Sequence, residues 1–148
     1  MKLASDLQPA SDRIRSLLSQ GEFAQVCLLG TYIKRRANLF LLAQQGSMTD
    51  VTELYHSVKE SLDCLMLLDI KCSVHIENEE NVPSKSLIDV YDRFEEIAES
   101  RINTASAVMV LIGAENGEPY MTVNISGNDT SDDGEYYRYP PEGGSDDI

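Results

Sequence analysis

Basic residues are scarce in this sequence: 12 Lys and Arg stand against 25 Asp and Glu, a formal net charge of −13. Such a surface repels phosphate backbones and anionic lipid, so neither nucleic acid nor a membrane surface is an expected partner. Long hydrophobic runs are missing too. Nowhere do ~18 consecutive apolar residues occur, the length a spanning helix needs, and residues 1–8 carry no apolar run of the signal-peptide kind. Cysteine is limited to Cys27, Cys64 and Cys72, scattered, odd in number and without a Cys-x-x-Cys pair. That pattern argues against a zinc ribbon or a disulfide framework. Each lies among apolar residues, as free thiols in a reducing cytoplasm commonly do. Catalytic signatures are equally absent: there is no Gly-x-Ser-x-Gly elbow, no Walker loop and no Gly-x-Gly-x-x-Gly.

What remains is enough to fold. With 148 residues and 42% hydrophobic content, the chain can hide roughly 70% of its unfolded surface in one domain with a small appendage. Residues 11–19 are periodic, with Ile14, Leu17 and Leu18 on one side, and Gly21 interrupts them. From about Glu22 to Gln45, Phe23, Val26, Cys27, Gly30, Ile33, Ala37, Phe40 and Leu41 recur at helical steps, which predicts one buried stripe. Gly46 supplies a stop. Thr49 and Asp50 are candidate N-caps for a second helix bearing Val51, Leu54, Tyr55, Val58, Leu62, Leu65 and Met66, with Glu53 completing a capping-box spacing. Its end, residues 64–68, is apolar nearly all round and should be covered from more than one side. The two helices read as an antiparallel hairpin.

The period then changes. Cys72, Val74 and Ile76 alternate with Ser73 and His75 in a short predicted strand. A polar loop over residues 77–81 leads past Pro83 to a third helix, capped by Ser84 or Ser86, with Leu87, Val90, Tyr91, Phe94, Ile97 and Ala98 on its stripe. Residues 107–112 and 120–125 read as strands, and Asn116-Gly117 between them is a strong hairpin signal. Residues 127–148 carry seven acidic side chains against Arg138 alone, a composition that predicts an unstructured acidic tail; Tyr136, Tyr137 and Tyr139 are its candidates for local docking.

Chemistry-bearing residues are few. His56 has Glu53 and Glu60 at helical spacing, but an exposed polar helix face explains that pattern more simply than a metal site does, and no metal is expected. His75 is expected at the surface. Lys34-Arg35-Arg36 span about 200° of helix, so they cannot all face one partner and are expected to pair with carboxylates of the same chain. Glu95 and Glu99 are four apart on the third helix, hence neighbours. Two adjacent carboxylates can hold magnesium or split their pKa values as an acid/base pair; a solvated helix flank is the plainer account.

The stretch Tyr32-Ile33-Lys34-Arg35-Arg36-Ala37-Asn38-Leu39 resembles a segment of Firmicute sensor histidine kinases, as do Glu60-Ser61-Leu62 and Tyr91-Asp92-x-Phe94-Glu95. The resemblance covers about residues 20–125. It implies an α+β fold: a dimerisation-bundle-like helical hairpin over residues 1–70, a truncated ATPase-like half sandwich (strand–helix–strand–strand) over residues 71–126, and the acidic tail over residues 127–148. It places Glu95 at the family's N-box Glu, the catalytic position, and Glu99 at the cofactor-binding position where the family has Asn. With that Asn replaced, Ser126-Gly127-Asn128-Asp129 in place of the adenine-reading loop, and no later glycine-rich box, Mg-ATP is not an expected cofactor. His56 is followed by Ser57 and Val58, unlike the family's phosphoacceptor. The implied function is that of a segment or degenerate relative of a two-component sensor kinase. It would be cytoplasmic, free or as the cytoplasmic part of a membrane-anchored receptor, homodimeric through the hairpin, and able to contact a response regulator. Two other readings stand beside it: a phosphorelay phosphotransferase-type adaptor using His56, and an unrelated module whose acidic tail recruits a basic protein.

Overall fold

The computed structural model describes residues 20–127 and 134–141. Residues 11–19 and most of the expected tail lie outside them. Among the described residues the chain forms three α-helices and two sheets, an α+β fold: α1 (Gln20–Gln45), β1 (Met48–Asp50), α2 (Thr52–Leu65) with a 3-10 turn (Met66–Leu68), β2 (Lys71–Ile76), β3 (Asn81–Pro83), α3 (Ser84–Arg101), β4 (Ala105–Glu115), β5 (Glu118–Gly127) and β6 (Glu135–Tyr139). The main sheet has the order β2-β4-β5-β6, with β2 and β4 parallel and the other pairs antiparallel. Parallel neighbours need a crossover connection, and α3 supplies it.

Alternation along the strands determines which face the helices cover. Val108, Val110 and Ile112 of β4 and Met121, Val123 and Ile125 of β5 are buried, while Met109 and Asn124 between them are exposed and directly opposite each other. Helix α2 packs on β2 and α3 on β5; α1 forms a third layer across α2 and α3. Asn116 and Gly117 both have positive φ, 56° and 78°, the geometry of the tight hairpin turn expected there.

Four features depart from the sequence expectations. The stripe predicted to bury α1 is largely in solvent: Val26 is 56% exposed, Ile33 61%, Phe40 50% and Leu41 57%. The face that packs is the other one, with Ala24, Leu28 and Leu39 buried and Tyr32 and Leu42 packed against the core. Helix α1 is apolar on two sides, so periodicity alone could not choose between them. Met66 and Leu67 are likewise exposed rather than covered.

Secondly, the short strands β1 and β3 pair antiparallel, Thr49 opposite Val82. Three residues are too few to show alternation. Thirdly, the expected caps operate only in part: Asp50 bonds the start of α2, whereas Ser84 does not cap α3. Val51 holds the cap position of α2, with Asp50 Oδ1 accepting the Thr52 N–H at 2.9 Å. At the start of α3 Pro83 holds it, while the Ser84 hydroxyl donates to the Gly46 carbonyl and bonds the Thr49 hydroxyl. These hydroxyls tie the end of α1 to the start of α3. Finally, Glu135–Tyr139 of the expected tail is strand β6, with Tyr137 and Tyr139 packed against the core.

Candidate functional site

The seam between α1 and α3 gathers most of the chemistry this chain possesses. Along α3 and its C-cap, Asp92, Glu95, Glu99 and Ile102 follow steps of three, four and three residues and so lie on one side of the helix. That side faces α1. The Tyr32 hydroxyl donates to Asp92 Oδ1 at 2.7 Å, and Arg36 clasps the same carboxylate through Nε at 2.9 Å and Nη2 at 3.2 Å. Further along, Gln25, Leu28 and Leu29 of α1 share a cleft with Glu99 and Ile102 of α3. Residue numbers rise along one helix as they fall along the other, so the helices run antiparallel, and Glu95 lies between the two contacts.

Glu95 is no solvated flank: it is 4% exposed, and its carboxyl adjoins that of Glu99. Burial first, then the Glu99 and Asp92 carboxyls, push its pKa from an ordinary 4.5 up to about 9. Desolvation and like charge both disfavour the ionised form. Glu99 itself is exposed. The pair expected from spacing is therefore adjacent but split, one carboxyl inside and one at the surface.

Around the seam, the basic cluster pairs within the chain as anticipated. Lys34 and Arg35 reach Glu60 on α2, and Arg36 reaches Asp92. Tyr91 and Ser61 share a buried hydroxyl–hydroxyl bond of 2.7 Å, and the Tyr91 ring lies 5.6 Å from that of Tyr32. Burial pushes the Tyr32 phenol up to about 12, with Asp92 adding to the shift. The three thiols are free; burial raises Cys64 to about 12 and Cys72 to about 11, which leaves both poor nucleophiles.

The other residues noted in the sequence stand apart. His56 is exposed on α2 and meets the Tyr55 ring edge-on at 5.4 Å. His75 is exposed on β2. Ser126 and Gly127 end β5, while Asn128 and Asp129 lie outside the described residues. Among the described residues, no group of three or more His, Cys, Asp or Glu side chains could hold a metal, and no helix is long and apolar enough to cross a membrane. Sequence reasoning missed the Tyr32–Asp92–Arg36 clasp. Both halves were visible as motifs, yet no local rule joins residues 60 apart.

The residue four beyond Glu95 is a second Glu, at the surface. No protein-family model matches this chain, and comparison with curated proteins yields no significant match.

Proposed function

We propose that this chain is a segment or degenerate relative of a two-component sensor histidine kinase that works in signal transduction by self-association rather than by phosphoryl chemistry. One observation carries the reading: among the described residues α1 presents an exposed apolar stripe whose residues Val26, Leu29, Ile33 and Phe40 are spaced three, four and seven apart, the heptad rhythm of a helix seam. From Val26 to Leu41 it runs about 22 Å at the helical rise per residue. Charge favours a second copy at this place. The chain as a whole is strongly acidic, but along α1 Lys34, Arg35 and Arg36 offset Glu60 and Asp92, so two copies repel least along this helix. Signalling would then pass through the homodimer to a response regulator or similar protein.

Sedimentation velocity provides the test. Wild type should be dimeric at about 100 µM, since even a weak micromolar dimer forms there, and I33D/F40D should be monomeric with an unchanged melting curve. A wild-type monomer at that concentration removes the proposal. The degenerate character is tested separately: micromolar affinity for Mg-ATP by calorimetry, lost in Glu95→Ala, would overturn it. His56, being exposed, keeps the phosphotransferase reading available to experiment. Absence of label on His56 after incubation with phosphorylated response regulators eliminates it.

A further inference from the structure

Two of the three thiols meet across the α1–α2 interface. These helices run antiparallel: Thr31 of α1 meets Cys64 of α2, Lys34 meets Glu60 and Arg35 meets Ser57. Cys27 lies one turn before Thr31 and so on the same side of α1. It is half-buried and packs against the core. Cys64 is 3% exposed; the Thr31 hydroxyl lies 3.4 Å from its sulfur, and the Cys27 thiol is in hydrogen-bond contact with it. The two positions are far apart in sequence, so the fold alone brings the sulfurs together. Cys72 has a different neighbour. It lies on β2, where its thiol donates to the Ile70 carbonyl at 3.5 Å. A thiol serving only as a small hydrophobe has no need of a second sulfur beside it, whereas sulfurs in contact from two packed helices meet the geometric requirement for a disulfide.

We propose that Cys27 and Cys64 form a redox modification site, at which a low-molecular-weight disulfide oxidises the pair to an intrachain bridge between α1 and α2. Cys27, the more accessible thiol, reacts first. It gives its proton to solvent and attacks one sulfur of the oxidant, whose S–S bond breaks to release one small thiol. Cys64 then gives up its proton and attacks the Cys27 sulfur of the mixed disulfide, expelling the second small thiol. The protein loses two hydrogens and two electrons, and the oxidant gains both as two thiols. Burial makes Cys64 a weak nucleophile toward anything in solution, but its target is held against it, and such proximity raises the effective concentration of the reacting group. In a reducing compartment both residues stay thiols; the bridge forms when the oxidant rises.

The test treats the reduced, folded full chain with bis(2-hydroxyethyl) disulfide, blocks remaining thiols by alkylation and maps the tryptic peptides by mass. A single-chain product is expected, with one Cys27–Cys64 cross-linked peptide and Cys72 outside it. C72A should form the bridge at the wild-type rate, and C27S, a small change at a half-buried position, should form none. Closing a loop of roughly 40 residues should raise the melting temperature of the bridged protein by on the order of 10 °C over the reduced form. A mixed disulfide that never resolves, a bridge involving Cys72, a cross-link between two chains, or a bridged protein that melts below the reduced one overturns the inference.

Discussion

Replacing Glu95 by Gln should make this protein more stable at neutral pH, and the size of the gain can be worked from the site. Unfolded, the carboxyl titrates near 4.5; folded, burial moves it to about 9. Between those values folding must take up a proton, so the Glu95 contribution is fully present below pH 4.5 and declines as pH rises toward 9. The slope is about 1.4 kcal/mol per pH unit. From 4.5 to 7 the wild type therefore forfeits about 3 kcal/mol of stability that glutamine, uncharged throughout, retains. The amide is nearly isosteric with the protonated acid, so near pH 4 the two proteins should be equally stable. Urea melts of both at half-unit steps from pH 4 to 8 check this. Taking the difference at each pH cancels the titration of the other carboxylates, which both proteins share. A gap that does not widen with pH, or an E95Q protein less stable than wild type at pH 7, refutes the claim that this carboxyl is buried and neutral in the α1–α3 seam.

Two further substitutions probe what holds the seam and the sheet. Asp92→Ala removes the acceptor for Tyr32 and Arg36 and should cost about 1–2 kcal/mol, modest because the Arg36 pair is part-exposed; faster hydrogen exchange along α1 than along β4 would show that the loss is local. Gly113→Ala would place a Cβ 2.6 Å from the Tyr120 hydroxyl, beneath a ring that Arg138 covers at 4.8 Å. Overpacking of that kind should cost about 1–3 kcal/mol, and chemical denaturation of G113A in a Tyr120→Ala background should show no such penalty.

How far the fold could be read from the sequence depended on how local each signal was. The β4–β5 hairpin was legible because Asn116-Gly117 encodes positive φ at two successive residues and the flanking alternation sets the register. The stripe of α3 was legible because Leu87, Val90, Tyr91, Phe94, Ile97 and Ala98 form a single apolar face, and each of them is buried. Strands β1 and β3 were not, since three-residue strands exist only because each other and Ser84 are present. Strand β6 was hidden by its acidic surroundings. Composition averages over a window, whereas Tyr137 and Tyr139 need only one face of a short strand to pack.

Helix α1 and Glu95 show the same difficulty from opposite sides. In α1 the periodicity was real, but a helix apolar on two faces has two solutions, and the chain's own core uses Ala24, Leu28 and Leu39. The stripe that sequence reasoning selected is largely exposed. At Glu95 the residue type argued for solvent and the spacing to Glu99 argued for a pair; burial followed from neither. It follows from the clasp that Tyr32 and Arg36 make with Asp92, which holds α1 against α3 and takes the adjacent carboxyl along. A charge-bearing group enters an interior only when stronger contacts on either side compel it, and here those contacts join residues 56 and 60 apart. The seam is thus the place where global packing overrides local chemistry, and where natural sequences concentrate such conflicts a functional demand is the usual cause.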